Sequence, residues 1–259
     1  MRSTARMLGL GLLAIPSIVA ALVLSFTGTF TPALDRRLQP FLMQTWFRLL
    51  AGLFGLVIEI EGRPLSGPAM IACNHRSWLD IVALGATLTG AFVSKAEIAR
   101  WPLLGYFARR GGRTLFIKRG ELRSFSALGG ELPARLRRGE RVIFFPEGTV
   151  SAAHELLRFK PRLFEAAVAT ACPVQPVALV YSGGDGAAFA PMMDGDVLGP
   201  HALRILRCQR TGVRLQFLAP LVVEGGDAKT LAEEAHARVA AALSAGGRKI
   251  TGPAHAAAV

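Results

Sequence analysis

From Met7 to Leu34 the chain carries no charged side chain, and Met7 to Phe26 is almost wholly apolar. About twenty such residues, rising ~1.5 Å each in a helix, match a hydrocarbon core of roughly 30 Å. Arg2 and Arg6 precede the stretch, and Arg36 and Arg37 follow it. A signal peptide shares the basic start and the apolar run. However, no A-x-A-like site follows here and the run exceeds a usual h-region, which favours a retained anchor. The segment either spans or dips into one leaflet together with a second apolar stretch, Phe41 to Ile58. That stretch contains Arg48 and so reads as interfacial or partly buried. Residues 1–55 are therefore expected to form a membrane anchor with an interfacial helical segment.

Beyond the anchor the pattern changes. Val57–Glu61, Ala69–Cys73, Ala91–Ser94, Thr114–Ile117, Arg141–Phe145, Val174–Val180 and Val213–Val223 read as strands. Helices are expected at Trp78–Leu88, Glu121–Arg138, Arg162–Thr170 and Ala228–Ser244, the last capped by Asp227. Gly129, Gly130 and Pro133 predict a break or kink in the second of these. Strands alternating with helices predict one α/β domain over residues 56–246, with residues 247–259 a disordered tail.

The charge balance narrows the partners. Thirty Lys+Arg against 18 Asp+Glu give a net charge of +12, which favours anionic lipid, acidic carriers or nucleic acid. Eleven Lys+Arg and three Asp+Glu fall between Arg100 and Arg141. A nucleic-acid partner is not expected, because no recognisable module or interleaved aromatics accompany that basic stretch. Cys73, Cys172 and Cys208 are too few and too scattered for a disulfide framework or a zinc site. They read as buried, reduced thiols.

Two stretches carry chemistry. Asn74-His75-Arg76-Ser77-Trp78-Leu79-Asp80 follows a buried strand. Five helical steps of about 100° would leave His75 and Asp80 about 140° apart, so they meet only if His75 lies in the turn and Asp80 on the first helical turns. Such a pair is a general base and the carboxylate that orients it, although a capped histidine beside a local aspartate is an equal reading of these residues alone. Phe145-Pro146-Glu147-Gly148-Thr149 follows a second buried strand, where a Pro-Glu-Gly turn is also ordinary punctuation.

Taken together, His-x4-Asp after Asn and a later Phe-Pro-Glu-Gly-Thr resemble the lysophospholipid acyltransferase family, which includes the 1-acyl-glycerol-3-phosphate acyltransferases. Gly112–Arg119 resembles the family's Gly-x-x-Phe-Ile-x-Arg block, and Cys172–Ala178 its Val-Pro-Val-x-Pro-Val block. The four blocks stand in the family's order between Asn74 and Ala178. The resemblance implies a glycerolipid-acyltransferase-like domain with a mixed central sheet flanked by helices, preceded by N-terminal membrane helices. It implies transfer of a fatty acyl group to a lysolipid hydroxyl, with acyl carrier protein or coenzyme A thioester as donor and no cofactor or metal.

By the same resemblance His75 is the general base and Asp80 its orienter. Arg119 contacts the acceptor headgroup, Glu147, Gly148 and Thr149 position the acceptor, and Pro176 shapes a pocket. Pro176 reads nearly as well as a strand-edge residue. Backbone amides at the Asn74–His75 turn or nearby are expected to hold the tetrahedral oxyanion. One departure stands out. The family's third block commonly continues with Arg after Thr, whereas Val150 follows Thr149 here. Conversion of 1-acylglycerol-3-phosphate to phosphatidate then needs Arg158, Lys160 or Arg162 as substitute. The alternatives are a lyso-aminolipid acceptor such as lyso-ornithine lipid, which Trp101-Pro102-Leu103 also resembles, or a non-catalytic lipid-binding protein. The expected location is the inner (cytoplasmic) membrane, with the domain facing the cytoplasm.

Overall fold

The computed structural model of the chain describes residues 2–96, 114–117, 122–150, 156–192, 196–223, 225 and 227–246. Two helices come first, α1 (Arg2–Phe30) and α2 (Pro32–Leu53), packed along each other as a hairpin. Pro32 sets the reversal: its ring suits the first turn of a new helix and pushes the preceding residue out of the helical region. Thr31 accordingly sits at φ −138° and ψ 69°. Polar contacts close the hairpin, with Thr27 Oγ1 donating to Asp35 Oδ1 at 3.0 Å and Trp46 Nε1 to Ser17 Oγ at 2.9 Å. Leu8, Leu12, Ile15, Val19, Leu22 and Phe26 remain exposed at helical spacing along the outer face of α1.

The second apolar stretch is not one element. Gly55, at φ +66°, ends the helical half and turns the chain into β1 (Leu56–Glu61), the first strand of the sheet. Arg48, the charge within it, donates from Nε to Ala86 O at 3.2 Å.

Six more strands follow: β2 (Ala69–Cys73), β3 (Ala91–Lys95), β4 (Leu115–Ile117), β5 (Arg141–Phe144), β6 (Val174–Tyr181) and β7 (Thr211–Phe217). Their order is β1-β7-β6-β2-β5-β3-β4, and every neighbouring pair is parallel except β6 with β7. Helices α3 (Leu79–Thr87), α4 (Leu122–Arg137), α5 (Glu165–Thr170), α6 (Leu198–Arg207) and α7 (Ala228–Gly246) complete the fold. It is the expected mixed sheet flanked by helices.

The alternation of β2 shows how the core is divided. Met70 and Ala72 face α4, α5 and α7, packing with Leu132, Phe164 and Val239. Ala69, Ile71 and Cys73 face the other way, toward Ala83 and Leu84 of α3 and Phe47 of α2. All five residues of β2 are buried, as a central strand covered on both faces requires.

Three local expectations need correction. Helix α4 continues from Leu122 to Arg137 with Pro133 inside it, so Gly129, Gly130 and Pro133 do not end it. The strand expected over Val213–Val223 runs from Thr211 to Phe217. Beyond Pro220 only Leu221 returns to the sheet, exchanging backbone hydrogen bonds with Val174. Helix α6 was not foreseen, because Gly199-Pro200 inside its first turn reads as a loop signal. Arg119, Gly112, Arg113, Trp101-Pro102-Leu103 and the tail beyond Gly246 lie outside the described residues.

Pro176 sits inside the sheet as the partner of Ala72 on β2. Its carbonyl accepts from Leu218 N at 3.0 Å, but its ring nitrogen has no hydrogen to return to Leu218 O. Gln175 fills the gap. Its Nε2 donates to Leu218 O (3.1 Å) and Arg63 O (2.9 Å), while its Oε1 accepts from Leu65 N (2.9 Å). Replacing Gln175 by Ala is expected to lower unfolding free energy by about 1–3 kcal/mol, the cost of leaving buried backbone groups unpaired. Urea denaturation of the two proteins measures it; equal midpoints would mean that water replaces the amide without loss.

Candidate active site

Strands β2, β5 and β6 are parallel and in register, with Ala72 beside both Phe144 and Pro176, so their carboxyl ends emerge at one edge of the sheet. In open α/β sheets that edge is where loops carry chemistry. Here it bears Asn74-His75 after β2, Phe145-Pro146-Glu147 after β5, and Tyr181 as the last residue of β6.

Asn74 fixes the exit from β2. It is fully buried, its Nδ2 donates to Leu179 O (2.9 Å) and its Oδ1 accepts from Leu179 N (2.7 Å). The amide thus continues the pairing of β2 with β6 by one side chain. His75 then lies in a turn before α3, and Asp80 is the second residue of that helix. The imidazole Nδ1 and Asp80 Oδ2 are 2.8 Å apart. The turn and first-turn placement required by the spacing is the one observed.

Asp80 is 0% exposed and collects further donors. Its Oδ2 also accepts from the amides of Arg76 (2.6 Å) and Ser77 (2.9 Å), and its Oδ1 from the Tyr181 hydroxyl (2.6 Å). Burial pushes the Tyr181 phenol well above its ordinary pKa, and the charge of Asp80 adds to the rise. Tyr181 therefore stays a proton donor to the carboxylate. With Asp80 on Nδ1–H, the basic nitrogen of the neutral ring is Nε2. The ring also stacks on Phe145, with centroids 4.0 Å apart and planes 15° from parallel.

Glu147 points inward. It is 1% exposed, and its two carboxylate oxygens accept from the amides of His75 (2.7 Å) and Leu157 (2.9 Å). Gly148 makes the turn that places it, at φ +73° with its amide on Phe145 O at 3.0 Å. The amides of His75, Arg76 and Ser77 are all engaged by these two carboxylates. The turn offers none of these three to an oxyanion, which leaves the expected role to other amides nearby.

The structure thus brings His75, Asp80 and Glu147 together, with Gly148 beside them. Thr149 is exposed, and Pro176 lies within the sheet. Lys160 holds its amide on Pro146 O (3.0 Å) and its side chain runs over Gly148, whereas Arg158 reaches toward Glu233 (3.7 Å). A cavity of about 400 Å³ is lined by Arg76, Tyr181, Leu156, Leu179, Pro191 and Leu243. Arg76 and Tyr181 both bond Asp80, whereas His75 and Asp80 themselves do not line it. Tyr181 was not singled out from the sequence, and Phe145 was named there only as the first residue of its motif, without a role. The available signal was position: each stands at the end of an apolar run at the functional edge.

The family model described as Acyltransferase matches residues 56–180. A lyso-ornithine lipid O-acyltransferase of Pseudomonas aeruginosa is 37% identical over 203 residues, covering 78% of this chain and 78% of the relative. A 1-acyl-sn-glycerol-3-phosphate acyltransferase of Neisseria meningitidis serogroup B is 36% identical over 171 residues, covering 64% and 67% respectively. Among solved structures, the 1-acyl-sn-glycerophosphate acyltransferase PlsC of Thermotoga maritima shares the fold, with a TM-score of 0.72 at 20% identity. That match covers 97% of this chain and 100% of PlsC.

Cys73 precedes Asn74 directly, but it is fully buried. Burial raises its thiol well above the ordinary value, and the charges of Asp80 and Glu147 raise it further. Cys172 and Cys208 are also free, buried and raised by burial. A protonated thiol is a poor nucleophile. The folded protein at pH 8 should therefore show no fast-reacting thiol toward Ellman's reagent, and three after unfolding. Fast labelling of Cys73 would reveal a thiolate beside the histidine.

Proposed function

This chain belongs to the acyltransferase family, and on that premise we propose that His75 is the base of an O-acyl transfer from a thioester to a lysolipid hydroxyl. The observation that carries the reading is the contact between His75 Nδ1 and Asp80 Oδ2 at the carboxyl edge of the sheet. His75 Nε2 takes the hydroxyl proton as that oxygen bonds to the thioester carbonyl carbon. Asp80 holds the ring and stabilises the imidazolium. The C–S bond then breaks, and the imidazolium returns its proton to the departing thiolate. Tyr181 is a positioning residue that acts through Asp80, and Glu147 is one that acts through the His75 backbone. The donor is acyl-carrier protein or acyl-CoA, drawn by the basic balance of the chain.

We place the acceptor among the lyso-aminolipids, of which lyso-ornithine lipid is the first to test. The support is Val150, which offers no charge to a phosphate where the family commonly has Arg, together with the lyso-ornithine lipid O-acyltransferase relative. The position of Lys160 over Gly148 favours the second reading, lysophosphatidate to phosphatidate. Arg119, in either case, is assigned to the acceptor headgroup.

The hairpin of residues 1–55 holds the catalytic unit, 56–246, on the cytoplasmic face of the cytoplasmic membrane. Two facts support the membrane attachment: the Thr4–Phe30 part of α1 is long and apolar enough to cross a bilayer, and its outer face is a continuous row of exposed apolar side chains.

Purified protein given labelled acyl-carrier protein or acyl-CoA should acylate lyso-ornithine lipid. His75→Ala should lower that rate by about 10²–10⁴-fold with lipid binding unchanged. Activity retained in this variant would remove His75 as the base, and no product from any acceptor would return the protein to the lipid-binding reading. Product from lysophosphatidate alone would move the phosphate contact to Lys160. Tyr181→Phe removes a donor to Asp80, makes the carboxylate a stronger partner for the imidazolium and so moves the acid limb of the pH–rate profile to higher pH. The plateau should fall by only ~10-fold or less, because Asp80 keeps its bonds to His75, Arg76 and Ser77. An unmoved limb would sink the positioning role.

A further inference from the structure

At the opposite edge of the sheet, where β3 and β5 begin, lies a cavity of about 290 Å³ that the acyl-transfer chemistry does not use. One wall is α2, through Pro40, Met43, Gln44 and Phe47, and the other includes Leu88 and Arg141. Arg141 is half-buried. Its guanidinium reaches Thr89 Oγ1 (3.1 Å) and Leu65 O (3.5 Å), and no carboxylate among the described residues lies within ion-pair distance of it. Burial lowers its pKa, the mark of a cation losing hydration without a counter-charge. Glu140 also lines the cavity, but its carboxylate is engaged by Arg135 (3.2 Å) and Arg138 (3.2 Å).

The α2 wall adds a second cation. Arg37, Pro40, Gln44 and Phe47 follow helical spacing on one face, so Arg37 stands one turn beyond the lining residues and is exposed. Beside Pro40, Phe41 is 67% exposed, which continues the apolar surface of the hairpin up to the cavity. A desolvated cation inside, a second cation at the rim, an apolar wall and contact with the exposed hairpin suit one class of molecule. We infer that this cleft binds a single anionic phospholipid, its phosphate between Arg141 and Arg37 and its glycerol and first methylenes along Pro40, Met43, Phe47 and Leu88. The site lies away from His75 and serves anchoring, not turnover. It rests on the reading of the hairpin as membrane-inserted.

The test uses the full chain in detergent, titrated with phosphatidylglycerol or phosphatidylcholine and read by native mass spectrometry. Wild type and His75→Ala should each retain one phosphatidylglycerol where phosphatidylcholine is lost. Arg141→Gln should weaken retention about tenfold or more, the worth of a charge-assisted hydrogen bond, with Arg141→Lys between the two. Arg37→Gln should weaken it about fivefold. Circular dichroism checks folding, and should Arg141→Gln fail to fold, Arg37→Gln decides. Equal retention in both Gln variants overturns the site, as does equal retention of phosphatidylcholine or a wild type that holds neither lipid. Displacement by inorganic phosphate at millimolar concentration overturns it in favour of a soluble anion. Charge-dependent retention in a protein without acyl transfer upholds the cleft and sinks the catalytic reading alone. Vesicle binding kept by Arg141→Gln and Arg37→Gln with lipid retention unchanged sinks the cleft alone.

Discussion

A buried carboxylate must be met by donors, because the ionised group loses several kcal/mol of hydration on leaving water. Asp80 is met by four: an imidazole nitrogen, two amides of the preceding turn and a phenol from another strand. None of these is a lysine or arginine side chain, so the negative charge stays available to an imidazolium. Glu147 does the same for the next layer, tying the His75 amide to the Leu157 amide. Between them the two carboxylates use the backbone of residues 75–77, and this defines where the His75 ring stands. The stacked Phe145 removes the remaining rotational freedom.

Much of this was legible in the sequence because it is local. The runs that became β2, β5 and β6 are short and apolar, and the residues that meet at their ends, His75, Glu147 and Tyr181, stand at or just past them. The distance of five residues between His75 and Asp80 demanded a turn before the helix, which is the geometry found. What escaped depends on pairing across long separations. Tyr181 meets Asp80 from 101 residues away, and only the parallel register of β2 with β6 brings it there. Glu147 looked like a residue facing a ligand, since a carboxylate in a turn is usually hydrated. Its inward direction follows from the bonds it makes, which no pattern announces. The stretch Phe41–Ile58 misled for a related reason: uninterrupted apolar composition does not distinguish a helix from the strand that follows it.

The hairpin is attached to the α/β unit at both ends of its contact. Arg6 of α1 donates to the carbonyls of Cys208 and of Gln209 (2.8 Å), just past the end of α6. Gln44 and Arg48 of α2 donate to Ala86 and Thr87 at the end of α3. Each places polar or positive groups at a helix terminus that carries unsatisfied carbonyls and partial negative charge. Phe54 against Trp78 closes the apolar part of the joint (4.8 Å between centroids). The orientation of the exposed α1 face relative to the edge that carries His75 is therefore built in and not left to a linker.

Pro176 and Gln175 act at a distance through the same sheet. A strand can slide along its neighbour in steps of ~3.3 Å, and apolar faces alone resist a two-residue slip poorly, because it restores the inside–outside alternation. A proline inside the strand makes the ladder unequal along its length. Only where Gln175 supplies the missing donor does Leu218 O keep its partner. A slipped β6 would also carry Gln175 away from Arg63 O and Leu65 N, which its side chain holds from the chain between β1 and β2. The pair thus works as an alignment pin, and the height it fixes is that of Tyr181, five residues on. A histidine in the turn after one strand is oriented through a carboxylate by a phenol whose position is gauged by a proline on another.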